Sequence, residues 1–132
     1  TDSQPTFREA AVVLVDDGTG APTPVYWHTP PGRTAVAIPD DVALWDVLWQ
    51  NRKQLIGVAH THPGSGTPAP SDTDLTTFAA IERALGKTLI WWIVNATEAG
   101  IVTAFNQLSF TFTVVPTQPW MDELRRRSHA EE

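Results

Sequence analysis

The sequence predicts an α/β fold, with a mixed sheet of the α+β kind covered by helices on both faces. Three observations carry this reading. Short runs rich in β-branched and aromatic residues alternate along the chain with longer stretches of helical spacing. The run Thr88-Leu89-Ile90-Trp91-Trp92-Ile93-Val94 is apolar after its first residue, and adjacent strand residues point to opposite faces, so such a strand needs cover on both sides. Between two strand-like runs, Ser71 and Gly86 bracket a stretch of helical periodicity at the positions where helices start and stop. With 132 residues, 42% of them hydrophobic, the chain can bury a core and reads as a single domain over 1–132.

Taken in order, Phe7-Arg8-Glu9 opens a strand over residues 7–15 that continues as the apolar run Ala10-Ala11-Val12-Val13-Leu14-Val15. Residues 1–6 read as a flexible N-terminus. Asp16-Asp17-Gly18-Thr19-Gly20-Ala21-Pro22 is turn chemistry, and Val25-Tyr26-Trp27 begins the return strand of a hairpin. Thr29-Pro30-Pro31-Gly32 interrupts that strand, and residues 34–38 form another short one. Pro39-Asp40-Asp41 starts a helix whose apolar face is Leu44, Trp45, Leu48 and Trp49. Leu55-Ile56-Gly57-Val58-Ala59 is the next strand. The helix after Ser71 places Leu75, Phe78, Ala79 and Leu85 near helical spacing and stops at Gly86. Residues 88–94 follow as the doubly covered strand, then Thr97-Glu98-Ala99-Gly100 as a turn, and residues 101–105 and 108–115 complete the sheet. The C-terminal part, 119–132, reads as a helix or tail, helical from Met121. Six tryptophans, Trp27, Trp45, Trp49, Trp91, Trp92 and Trp120, read as core residues rather than a stacking surface. His28 and His129, each isolated, read as structural or surface residues.

The chemistry gathers at His60-Thr61-His62-Pro63, which continues the run from Leu55. Residues two apart share a face, so both imidazoles can reach one metal ion while Thr61 points away from them. Pro63 fixes its own φ and lacks a donor, which ends the strand just past the second histidine. Further on, Ser71 reads as a helix N-cap and Asp74 as the third helical residue, one turn away on the same face. A carboxylate there complements the positive end of the helix dipole. Two histidines and one carboxylate, with a fourth position left for water, form the ligand set of a catalytic zinc centre rather than a closed structural one.

In the order His-x-His-Pro, spacer, Ser-x-x-Asp, the residues His60, His62, Ser71 and Asp74 resemble the JAMM motif of the JAB/MPN metallopeptidases. The resemblance spans roughly residues 7–105 and implies a curved, cytidine-deaminase-like central sheet flanked by helices. It also implies Zn2+ held by His60, His62 and Asp74, and hydrolysis of a peptide or isopeptide bond after the C-terminus of a ubiquitin-like protein. That family uses an upstream glutamate at the start of a buried strand as general acid/base, and Glu9 fits the position. Ser71 would then stabilise the developing oxyanion. The spacer from His62 to Ser71 is one residue longer than the commonest family form, and residues 1–6 leave little room for the helix that usually precedes the glutamate. Without the long insertions by which eukaryotic deubiquitinases of the family orient ubiquitin chains, the sequence resembles the compact prokaryotic type, a resemblance that implies processing of ubiquitin-like modifiers or sulfur-carrier proteins, or trimming of phage-tail or defence-system proteins. Two relatives imply other readings: non-catalytic MPN scaffolds, which typically lack the ligands retained here, and RadC-like proteins, which share a similar His-x-His-Pro signature.

Composition narrows the partners. The formal net charge is −6, and the one basic run, Arg125-Arg126-Arg127, is followed by Glu131-Glu132, so nucleic acid is not the expected partner. No apolar run reaches membrane-spanning length and the polar opening Thr1-Asp2-Ser3-Gln4 is not a signal peptide, so neither a membrane nor export is expected and the protein reads as cytoplasmic. The absence of cysteine removes disulfides and thiol nucleophiles but fits either redox environment.

Overall fold

A computed structural model of the protein describes residues 7–30, 42–103, 105–106 and 109–129. In chain order its elements are β1 Ala11–Asp16, β2 Pro22–His28, α1 Val42–Gln50, β3 Leu55–Thr61, α2 Asp72–Leu85, β4 Ile90–Val94, β5 Ala99–Thr103, β6 Thr111–Val115 and α3 Pro119–Arg127. The six strands form one sheet in the order β2-β1-β3-β4-β5-β6. Among the described residues only β3 and β4 pair in parallel. A parallel neighbour cannot be reached by a tight turn, and the crossover between them is α2. The mixed α/β class expected from the sequence is the one found.

Side-chain alternation splits the core into two layers. Ala11, Val13, Val58, Trp91 and Ile93 pack with Leu48 of α1 and with Leu75 and Phe78 of α2. On the opposite face Ala10, Val12, Leu14, Ala59, Trp92 and Val94 pack with Trp120, Met121 and Leu124 of α3. Trp91 and Trp92 thus enter one layer each, as a strand covered on both faces requires. The β1–β2 turn is organised by Asp16, whose Oδ1 accepts the N–H groups of Gly18 and Gly20 at 2.8 Å each.

Several boundaries differ from the sequence reading. The ladder of β1 begins at Ala11 rather than Phe7, because the amide of Ala10 donates to a side chain, Thr61 Oγ1 at 2.9 Å, instead of a main-chain carbonyl. The turn after β4 occupies residues 95–98, since Asn95 Oδ1 accepts from both Thr97 N and Glu98 N, and Ala99 and Gly100 already belong to β5. Strand β6 begins at Thr111 and α3 at Pro119. On α1 the buried residue is Leu48, with Leu44 and Val47 packed beside it. Trp45 and Trp49 stack on each other facing solvent, with the Arg52 guanidinium over Trp49. The core reading therefore holds for Trp91, Trp92 and Trp120, with Trp27 half-buried beneath the Arg127 guanidinium, and fails for Trp45 and Trp49. The readings of residues 1–6, the strand 34–38, the helix start Pro39-Asp40-Asp41, residue 108 and residues 130–132 lie outside the described residues. None of the helices described is long and apolar enough to cross a membrane.

Gly57 sets the spacing of the central pair. A Cβ there would come closer than 3.0 Å to the backbone carbonyl of Ile90 on β4, and a hydrogen-bonded main-chain atom cannot step aside as a flexible side chain can. Gly57→Ala is expected to destabilise the fold by about 3 kcal/mol or more. Equilibrium denaturation checks this, and a loss below about 1 kcal/mol would mean that β3 and β4 separate freely.

Candidate metal centre

The site is built where β3 ends and α2 begins. Val58 lies in the layer beneath α1 and α2, so His60 and His62, two and four residues on, face α2. Pairing continues past the end of β3, where His62 N–H donates to Val94 O at 2.9 Å. His60 is supported by an aromatic stack, its ring lying edge-on to Phe78 at 5.8 Å while Phe78 stacks on Trp91 at 4.2 Å. The sequence reading did not assign Phe78 to the site. The available signal was its place one turn beyond Asp74 on the same helical face.

Ser71 caps α2 as expected. Its Oγ accepts Asp74 N–H at 3.1 Å while Asp74 Oδ2 accepts Ser71 N–H at 2.9 Å, a reciprocal capping box. At the other end Gly86 adopts the left-handed conformation, φ 71°, so both predicted caps are found. The cap fixes the Asp74 carboxylate rigidly and aims Oδ2 at the strand.

There the polar atoms converge. His60 Nε2 and His62 Nε2 lie 3.0 Å apart, and Asp74 Oδ2 lies 2.9 Å from His62 Nε2 and 3.3 Å from His60 Nε2. In a tetrahedral zinc shell with bonds of about 2.0–2.1 Å, ligand atoms are separated by about 3.3 Å. The observed triangle is that size to within a few tenths of an ångström. With both rings in the tautomer that leaves Nε2 unprotonated, three lone pairs converge on one point, and a cation among them satisfies all three at once. The donor set therefore fits a divalent metal.

Glu9 approaches from the segment just ahead of β1. Ala11 pairs with His60, and extending that antiparallel register by two residues sets Glu9 opposite His62, on the face it shares with Ala11. Glu9, His60 and His62 could hold a metal ion, their ligand atoms all lying within 4.8 Å of one another. Two triads thus share the histidine pair, and the one completed by Asp74 is fixed at hydrogen-bonding distances.

The electrostatics differ between the two carboxylates. Burial pushes the Glu9 carboxyl above its ordinary value, against the opposing pull of His60 and His62. For Asp74 burial acts in the same sense, but hydrogen bonds from His60, His62 and the Ser71 backbone outweigh it and hold the carboxyl far below the usual range. Burial presses His62 down, yet the hydrogen bond and charge of Asp74, with the charge of Glu9, leave it raised. One carboxylate is held ionised and the other eased toward its neutral form, a division seen at sites of acid–base chemistry.

The loop between His62 and Ser71 is docked on the turn after β4. Ala96 N–H donates to Gly64 O, Gly66 N–H to Thr97 Oγ1 at 2.9 Å, and Asn95 Nδ2 to Gly66 O at 2.9 Å. The turn that receives it is held by α3, since Arg125 Nε donates to Asn95 O at 2.6 Å. The isolated histidines lie elsewhere. His28 is buried beside Tyr26, with Nδ1 3.2 Å from its hydroxyl, and His129 packs edge-on against Phe7.

A mixed sheet with a His, His, carboxylate cluster at the end of its central strand defines an α/β domain able to hold a metal. The family described as prokaryotic homologs of the JAB domain matches residues 8–112, and the chain belongs to that family. No curated protein matches the chain.

Proposed function

We propose that the protein is a zinc-dependent hydrolase of JAMM type, cleaving a peptide or isopeptide bond after the C-terminus of a ubiquitin-like modifier. The observation that carries the proposal is the triangle of His60 Nε2, His62 Nε2 and Asp74 Oδ2, with the Glu9 carboxyl facing the same histidines. His60, His62 and Asp74 hold the ion, which when bound supplies Lewis acidity and an activated water at neutral pH. Glu9 takes a proton from the attacking water and delivers it to the departing amine, so the proton lost by the nucleophile ends on the leaving group. The Ser71 hydroxyl accepts the amide of Asp74, and its own proton is directed to the carbonyl oxygen as that oxygen becomes negative. The substrate class rests on family membership.

The test joins two measurements. Protein purified without added metal is assayed for metal by mass spectrometry, then for hydrolysis of ubiquitin-like proteins bearing a fluorogenic amide after the terminal glycine. About one zinc per chain with amide cleavage is the expected result. Metal without cleavage of any such substrate would favour a binding scaffold, and no metal would remove the proposal.

Ser71 has two separable roles. Ser71→Ala is expected to lose about 1 kcal/mol of stability from the cap and on the order of 10²- to 10³-fold in rate. Ser71→Asp can cap but, ionised, cannot donate. Thermal melting and turnover of the pair decide the matter: recovered stability without recovered activity identifies the oxyanion donor, and activity that follows stability in both variants leaves Ser71 as a cap alone.

A further inference from the structure

The chemistry proposed above depends on where Glu9 is held, yet Glu9 lies two residues ahead of β1 and in no regular element. Its chain neighbours are fixed all the same. Arg8 N–H donates to the Ser128 carbonyl at 2.8 Å. Ala10 N–H donates to Thr61 Oγ1 at 2.9 Å, and Ala10 O accepts Thr61 N–H at 3.0 Å. Thr61 Oγ1 also accepts the Ser128 hydroxyl at 2.8 Å, so the two grips on Glu9 meet in one residue. Phe7, one step further out, packs edge-on against His129 at 5.6 Å. Ser128 is itself anchored, its N–H bonded to Leu124 O and Arg125 O at 3.1 Å each, and Leu124 sits in the core layer under α3.

The geometry points to Ser128 as a positioning residue for Glu9, tying the end of α3 to the strand of His60 and His62 through its hydroxyl and to the residue before Glu9 through its carbonyl. The inference rests on the reading of Glu9 as proton carrier. Thr61 stands between the two histidines, so the Ser128–Thr61 bond fixes the Glu9 segment and the metal-binding segment in one frame. Both hydroxyl residues are buried, Ser128 at 0% and Thr61 at 1% exposure. Apolar side chains would fill that space as well, but only directed hydrogen bonds specify a register. The family match ends at residue 112, so α3 and Ser128 lie beyond the matched segment.

The test uses the full zinc-loaded chain with Ser128→Ala, Thr61→Val and Thr61→Ser. Zinc content, hydrogen exchange of the peptide over residues 8–12 and of β4, and kcat and KM on the amide substrate are measured in each. Ser128→Ala and Thr61→Val are expected to keep their zinc and the protection of β4. Their 8–12 peptide should exchange about tenfold faster, and kcat should fall about 10- to 100-fold with KM unchanged, as a misplacement near 1 Å would cause. Thr61→Ser, which retains the oxygen, should recover most of the turnover lost in Thr61→Val. Unchanged exchange at 8–12 in Ser128→Ala overturns the inference, and so does faster exchange spread equally over β4, which would mark general destabilisation. If the unmodified protein hydrolyses no substrate, the proton-carrier reading fails, while the exchange data still decide whether Ser128 holds the Glu9 segment.

Discussion

Glu9→Gln is expected to lower turnover by about 10² to 10⁴-fold, the usual cost of deleting a general acid/base, while fold and metal content stay as they were. Glutamine matches glutamate in shape but cannot take a proton from water. The environment of Glu9 makes the comparison clean. Burial raises its pKa above the ordinary 4.5, with the imidazoles of His60 and His62 opposing. A raised carboxyl favours the neutral form in the folded state, so its contribution to stability is fully present below the unfolded value and is lost as pH rises through the folded one. At pH 7 the ionised carboxylate is therefore a cost, and the metal-free Glu9→Gln protein should melt no lower than the parent. A base must be ionised to act, so the limb of kcat/KM that rises with pH through the Glu9 pKa should vanish in the variant. Near-normal turnover would take Glu9 out of the mechanism, and a lower melting temperature at pH 7 would contradict its burial.

The parts of this molecule legible in the sequence are those whose causes are local. Ser71, Asp74 and Gly86 mark the ends of α2 by cap chemistry within a few residues, and His60 and His62 follow from the two-residue period of β3. The apolar face of α1 was misread because Val42, Leu44, Trp45, Val47, Leu48 and Trp49 spread too far around the helix to define one stripe. Which stripe is buried is decided by the sheet, and the sheet chose Leu44, Val47 and Leu48. The late start of β1 has a similar origin. Nothing near Ala10 announces that its amide will be taken by the hydroxyl of Thr61, 51 residues away. Ser128 is further still, 67 residues from Thr61, and no periodicity links them. The sequence reading did place Thr61 with its side chain turned away from the histidines. What that side chain does there is visible only once α3 is packed.

Removing the metal is expected to have the other large effect, on activity and stability together. Chelation should abolish turnover, and at a free zinc concentration of 100 times Kd the bound ion stabilises the fold by about 2.7 kcal/mol, on the order of 10 °C in melting temperature for a domain of this size. The pH dependence makes the prediction specific to this triangle of atoms. In the metal-free protein Asp74 is held ionised by His60, His62 and Ser71 against the effect of burial, so its contribution is present above the unfolded value, about 3.9, and is lost as pH falls through the depressed one. His62 is raised, Asp74 and Glu9 outweighing burial, so its contribution is full below about 6.5 and is lost as pH rises through the raised value. Metal-free stability should therefore be highest just above about pH 4 and decline as pH rises, first as Glu9 and then as His62 loses its proton. Metal binding runs the other way, because the ion needs the His62 imidazole neutral and its affinity rises as that ring loses its proton. The gap in melting temperature between loaded and metal-free protein should widen from about pH 6 to pH 8. In Asp74→Asn the gap should shrink, since one ligand charge is gone, and the metal-free decline should flatten, since His62 loses the partner that raised it. A gap independent of pH, or one left intact in both Asp74→Asn and His62→Ala, would mean that the ion binds elsewhere and that these three side chains meet only as a hydrogen-bonded cluster.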